Sequence, residues 1–146
     1  MACGLIDAAL RTSAAPTYFP THQGVIDGGV VANNPATCAV AKAIKSGVPL
    51  EDIRLLSVGT GFSPHVIAGD HDWGKAQWIV PLLQMLMNGM PGVADYQCEQ
   101  LLGAHYLRLD VAFQQVIELD DVASIDQLLT CAEAADLGPA LAWLAR

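Results

Sequence analysis

Of the 15 acidic residues in this chain, Asp27 has the neighbours that would let a carboxylate act as a base. It follows Val25 and Ile26, is followed by Gly28 and Gly29, and lies just upstream of Asn33-Asn34-Pro35. A carboxylate held on a tight connection between a strand and a helix, within hydrogen-bond reach of a hydroxyl, can take its proton. The same pattern has a plainer use, because aspartate side chains also bond nearby backbone and stabilise turns. Spacing alone leaves both readings open.

Other reactive groups are scattered. The serines are Ser13, Ser46, Ser57, Ser63 and Ser124, and none sits in a Gly-x-Ser-x-Gly setting. Ser13 falls in a turn-like Thr-Ser-Ala-Ala-Pro run, where a hydroxyl bonds local backbone. Asp70-His71-Asp72 could hold a metal, but no further ligands follow at a recognisable spacing, so it reads as a solvated loop and no metal is expected. His22, His65 and His105 are isolated. Gly59-Thr60-Gly61 lacks both the Gly-Lys-Ser/Thr ending of a phosphate loop and the third glycine of a dinucleotide fingerprint. Arg108 reads as a surface residue rather than a substrate clamp.

The elements that must position Asp27 follow from periodicity and punctuation. Leu5 to Leu10 predicts a short helix, ended by Thr12-Ser13 and Pro16. Thr17 to Pro20 reads as extended, and Gln23-Gly24 as a turn into a buried strand at Val25-Ile26. Gly28 and Gly29 would let the backbone turn where a side chain clashes. Asn34 can cap a helix and Pro35 fits its first turn. Ala36, Ala39, Val40, Ala43 and Ile44 share one face of that helix, and Gly47 stops it.

Ile53 to Val58 predicts a second strand, and residues 62–74 a loop. Trp78 to Met87 is almost wholly apolar, and reads either as a buried helix or as a lipid-facing one. Met85, Met87 and Met90 suit an adaptable apolar wall or an ordinary core. Residues 88–92 read as a break. Val93 to Leu102 predicts a helix burying Tyr96, Leu101 and Leu102, and Tyr106 to Val111 a third strand near an edge. Ser124-Ile125-Asp126-Gln127 is a capping-box pattern opening a helix through about Ala135, and Pro139 to Ala145 a last short helix. Strands alternating with helices indicate an α/β layered fold.

Composition narrows the function. The 146 residues suit one domain or part of one, and 53% are apolar, which excludes a disordered chain. The net charge of −8, with 7 Lys and Arg and no basic run, argues against nucleic acid and against strong attraction to anionic membranes. Cys3, Cys38, Cys98 and Cys131 form no Cys-x-x-Cys pair. Cys38 and Cys131 sit in apolar helical patterns and read as small core residues. Neither a signal peptide nor a membrane-spanning stretch is legible, so a reducing, cytoplasmic setting is expected.

Ala9 to Pro20, Asp27-Gly28-Gly29, Asn33-Asn34-Pro35 and Leu55 to Gly61 together resemble the second half of a patatin-like phospholipase domain. The resemblance implies an α/β three-layer sandwich of the patatin type, with this chain as a C-terminal portion: a core over about 1–111 and a helical tail over 112–146. It also implies acyl-ester hydrolysis of lipids by a Ser-Asp dyad without a cofactor. In that family the nucleophilic Ser sits in a Gly-x-Ser-x-Gly elbow, and an upstream glycine-rich loop supplies oxyanion donors. Asp27 matches the dyad base, and Gly28, Gly29, Asn33, Asn34 and Pro35 match its motif.

The nucleophile and the glycine-rich loop have no counterpart here, so the Ser is expected on another segment or chain. A truncated gene, a split gene and a genuine short form all fit. The alternative function is a non-catalytic lipid-binding or partner-binding fragment, with Trp78, Leu82, Met85 and Met87 facing lipid. Self-association is expected, because a parallel sheet lacking its neighbouring strands leaves apolar faces uncovered.

Overall fold

The architecture turns on one parallel strand pair. The computed structural model describes residues 4–63, 72–89 and 91–146. Strands β1 (Leu55–Val58) and β2 (Tyr106–Leu109) pair in parallel, with Leu55 opposite Tyr106 and Ser57 opposite Arg108. Parallel neighbours need a long crossover, and the chain between them supplies it. Gly59 N–H continues the ladder to Leu109 O at 2.8 Å, and Phe62 bridges to Ala112. The helices are α1 (Leu5–Thr12), α2 (Gly29–Ala32), α3 (Ala36–Lys45), α4 (Lys75–Gly89), α5 (Pro91–Leu102), α6 (Ile125–Glu133) and α7 (Gly138–Leu144). Mixed helix and strand around a small parallel sheet is compatible with an α/β fold.

The chain divides into two units. The first joins Met1–Asn33 with Ile67–Pro91, and the second joins Asn34–Val66 with Gly92–Arg146. The second holds the buried cluster of Ala36, Val40, Ile53, Cys98, Leu102 and Tyr106, with Ala43, Leu50 and Leu55 packed against it. Two helical stripes build it. In α3 the buried residues are Ala36 and Val40, with half-buried Ala43 following; in α5 the buried line is Ala94, Cys98 and Leu102, each four residues after the last.

These stripes correct several expectations. Cys38 is exposed, because it lies about half a turn from the Ala36–Val40 line. Ala39 and Ile44 are exposed too, and Cys131 is half-buried. Tyr96 and Leu101 face outward, since the line through Ala94, Cys98 and Leu102 leaves them off the buried side; only Leu102 is buried as expected.

Helix ends follow local chemistry. Gly47, at φ +88°, ends α3 with Gly47 N–H to Ile44 O at 2.9 Å and Val48 N–H to Ala43 O at 3.1 Å, a Schellman closure. The expected capping box at Ser124 does not form. Asp121 accepts from Ala123 N–H at 3.1 Å and from the Ser124 hydroxyl at 2.6 Å, which takes up the serine that would have capped. The tail packs on the second unit: α7 lies against β2, and Arg54 stacks over Trp143, whose indole N–H reaches Ala104 O at 2.9 Å. Asn88 and Gly89 are still helical and α5 begins at Pro91, so the break is shorter than residues 88–92. Met90 lies outside the described residues.

In the first unit, α2 packs against α4 and the buried residues include Ala14, Ala15 and Gly29. Thr17 to Pro20 is a turn rather than extended, with Thr17 at φ +74°. The predicted strand at Val25-Ile26 shrinks to one bridge between His22 and Val25, and both Val25 and Ile26 are exposed. A strand persists only where a neighbour satisfies its backbone, and among the described residues none pairs with this segment beyond His22.

Candidate functional site

Asp27 is half-buried in the first unit. Its Oδ1 accepts from Gly29 N–H at 2.7 Å, and its own N–H donates to Ala14 O at 3.0 Å. Ala14 follows directly on the Ser13 stop of α1, where the Ser13 hydroxyl donates to Ala9 O at 2.9 Å as its local context predicts. The carboxylate is therefore fixed through backbone on both sides. Among the described residues Oδ2 has no hydrogen-bond partner, which leaves one oxygen to accept a proton.

The glycines differ from expectation. Gly28 has φ −66° and open space where a Cβ would stand, so neither strain nor crowding requires glycine there. Gly29 is buried and opens α2. Asn33 ends α2 in helical backbone. Pro35 is exposed and directly precedes α3, giving its carbonyl to Ala39 N–H at 2.9 Å.

Asn34 belongs to the second unit and is the motif residue most deeply held, at 4% exposure. Its Oδ1 accepts from Ala36 N–H at 3.1 Å and its Nδ2 donates to Asp95 Oδ1 at 2.7 Å. The first bond serves the first N–H of α3 from one residue earlier than expected, because Pro35 stands at the N-cap position and not inside the first turn. The second enters a polar network that sequence reasoning missed. Ser57 and Arg108 are register partners on the face that also carries Leu55 and Tyr106. Arg108 Nη1 donates to Ser57 Oγ at 2.7 Å, and its Nη2 and Nε donate to Asp110 Oδ2 at 2.7 and 3.1 Å. Asp110 Oδ1 accepts from Gly61 N–H at 2.9 Å. The Tyr106 hydroxyl donates to Asp95 Oδ1.

Arg108 is thus not a surface residue: its side chain is largely covered and its donors are committed within the fold. Burial, with Asp95 accepting from its hydroxyl, pushes the Tyr106 phenol up to about 12. Burial chiefly, and the Asp95 charge next, push the Cys98 thiol up. Ser57 Oγ accepts from the Arg108 guanidinium at 2.7 Å and donates to the Asn34 amide oxygen at 3.5 Å, and among the described residues no carboxylate or imidazole accepts its proton, so nothing there activates it as a nucleophile. The Gly59-Thr60-Gly61 loop is filled: a Cβ on Gly59 would stand 2.2 Å from the Asp110 carboxylate. An acid occupies the position where a nucleotide phosphate would need donors. Alternation along β2 signals Arg108 and Asp110 as a same-face pair, but nothing local marks Asp95.

The apolar helix α4 carries Trp78, Leu82 and Met85 at the surface, and Trp78 packs edge-on to Trp73 at 5.1 Å. The Met87 side chain, His65, Asp70 and His71 lie outside the described residues. Among the described residues no three His, Cys, Asp or Glu side chains converge on a metal position, and no helix is long and apolar enough to cross a membrane.

No family model matches the chain. Curated proteins do. Patatin-like protein 3 of Arabidopsis thaliana is 30% identical over 145 residues, covering 73% of this chain and 34% of that protein. A cGAMP-activated phospholipase of Pseudomonas aeruginosa is 31% identical over 114 residues, again 73% of this chain and 34% of that protein. CotR of Bacillus subtilis, provisionally named a sporulation hydrolase, is 30% identical over 162 residues, covering 92% of this chain and 50% of that protein. The chain spans between a third and a half of the length of these relatives. Their names support a patatin-like family of lipid hydrolases.

Proposed function

We propose that this chain is the base-carrying portion of a patatin-like lipid acyl hydrolase, in a three-layer α/β sandwich, with Asp27 as the base of a Ser-Asp dyad. The nucleophilic serine is supplied by a segment outside these 146 residues. The observation that carries this reading is the Asp27 carboxylate itself, with Oδ1 held by Gly29 N–H at 2.7 Å and Oδ2 open among the described residues. In the reaction, a serine hydroxyl attacks the ester carbonyl carbon and passes its proton to Asp27. The tetrahedral oxyanion collapses, the C–O bond to the alcohol breaks, and Asp27 returns the proton to the leaving oxygen. Water then cleaves the acyl-serine by the same route. A held carboxylate supports this role because a base must wait in position for the hydroxyl.

The test is reconstitution. The 146-residue chain alone is expected to give no ester hydrolysis above background. The chain joined to a Gly-x-Ser-x-Gly segment encoded upstream is expected to hydrolyse a short-chain nitrophenyl ester, and Asp27→Asn to abolish that turnover. Asp27-dependent hydrolysis by the chain alone would overturn the external nucleophile. Full activity of Asp27→Asn would overturn the dyad.

A second reading is a non-catalytic module that binds lipid or a partner protein. The exposure of Trp78, Ile79, Leu82 and Met85 on α4 favours it, Ile79 being 68% exposed. Co-sedimentation with neutral phosphatidylcholine vesicles by a chain that remains inactive after joining would move the assignment there.

A further inference from the structure

The segment that carries Asp27 is fastened to α1 by side chains that no part of the catalytic reading uses. Asp7 and Arg11 stand four residues apart and so share one face of α1. Across from them lies the His22–Val25 turn, whose two central residues, Gln23 at φ +53° and Gly24 at φ +75°, are both left-handed. His22 and Val25 exchange backbone hydrogen bonds at 3.1 and 3.0 Å. Two central residues at positive φ are the signature of the tightest hairpin turn, which favours Asn-Gly. Glutamine is a poor occupant of that conformation, so something other than local preference keeps it there.

The side chains show what does. Asp7 Oδ1 faces His22 Nε2 at 3.0 Å and accepts from Gln23 Nε2 at 3.1 Å. Gln23 Oε1 accepts in turn from Arg11 Nη2. One carboxylate and one guanidinium of α1 thus grip both side chains of the turn's first half. His22 leaves its mark on Asp7, since its hydrogen bond is the main cause holding that carboxyl below the usual carboxylate range. Two residues past the turn, Asp27 N–H reaches back to Ala14 O, just beyond the C-terminus of α1. The loop from His22 to Asp27 is therefore fastened at its start by side chains of α1 and at its end by backbone following α1.

We infer that Asp7 is a positioning residue for Asp27, acting through His22 and Gln23 to hold the 22–27 loop in the conformation that presents the Asp27 carboxylate. The catalytic consequence rests on the proposed role of Asp27, whereas the structural coupling does not.

Amide hydrogen exchange on the 146-residue chain tests the coupling without any catalysis. Asp7→Ala removes the acceptor shared by His22 and Gln23, and its gain in helix propensity offsets the first-turn acid that α1 loses. It is expected to speed exchange of the Asp27 and Gly29 amides about 5- to 30-fold, the loss of two hydrogen bonds. The Gly59 amide on the sheet ladder is expected to stay within twofold of wild type. Asp7→Asn, which keeps an acceptor oxygen, is expected to recover most of the Asp27 protection. If Asp7→Ala does not fold, His22→Ala removes the other side of the same pair from outside α1 and is read identically. Exchange at Asp27 unchanged in a folded variant, or accelerated equally at Gly59, would overturn the inference. In the reconstituted hydrolase, Asp7→Ala is expected to lower kcat about tenfold with KM unchanged. Loss of that effect alone, with local exchange still raised, would count against the role of Asp27 and not against the clasp.

Discussion

Asn34→Ala is expected to cost about 2–3 kcal/mol of folding stability. The substitution removes two short bonds, and with them the longer one at 3.5 Å that Asn34 Oδ1 accepts from the Ser57 hydroxyl. One is the cap on Ala36 N–H at 3.1 Å, of a kind worth about 1 kcal/mol. The other is the donor to Asp95 Oδ1 at 2.7 Å, and bonds to charged groups are worth about 1.5–3 kcal/mol. Their sum is lowered because Asp95 is only partly buried and keeps the Tyr106 hydroxyl, so water compensates in part. At a urea slope of about 1.5 kcal/mol/M, the midpoint should fall by roughly 1.3–2 M. Asn34→Asp makes the test sharper. It keeps the cap acceptor but sets a second carboxylate against Asp95, where two like charges cannot both stay ionised without cost. Relative to wild type at each pH, it should be worse than or equal to Asn34→Ala near pH 7 and recover toward pH 4. The assay is urea unfolding followed by circular dichroism at both pH values. A loss under 1 kcal/mol for Asn34→Ala, or an Asn34→Asp variant better tolerated at pH 7 than at pH 4, would refute the role assigned to this bond.

Gly61→Ala should cost about 2–4 kcal/mol by the same assay, because φ is +98° and the new Cβ would stand 2.1 Å from the Phe113 ring; Gly28→Ala, with open space and φ −66°, should cost under 1 kcal/mol. Tyr106 should ionise only near pH 12, visible as a late step in the ultraviolet phenolate absorbance. Its folded pKa lies above the unfolded value near 10, so its contribution to stability is complete below pH 10 and is lost as pH rises toward 12. Cys38 should react with a thiol reagent in the native chain while Cys98, fully buried and with its thiol pushed up, should react only on unfolding; mass spectrometry of the labelled peptides decides this.

The local and periodic part of this protein is legible in its residues alone. The Gly47 stop, the α3 stripe through Ala36 and Val40, the Ser13 backbone bond and the two strands at Leu55 and Tyr106 follow from rules acting over a few residues, and the folded chain keeps them. The ordered motifs around Asp27 and Leu55 likewise resemble those of patatin-like proteins. Tertiary structure decided the remainder. The strand at Val25-Ile26 needed a partner and found only His22. The box at Ser124 lost to Asp121, since a hydroxyl donating to one carboxylate is no longer poised as a cap. Arg108 is largely covered because Ser57 and Asp110, 51 and 2 residues away in sequence, accept from its guanidinium. Asp95, which gathers Asn34 and Tyr106, carries no local signature at all: its partners lie 61 and 11 residues distant, and only the assembly of the buried cluster that joins Ala36, Cys98 and Tyr106 brings them within reach. A hydrogen bond between side chains far apart in sequence is a property of the assembled fold, and residue spacing along the chain does not encode it.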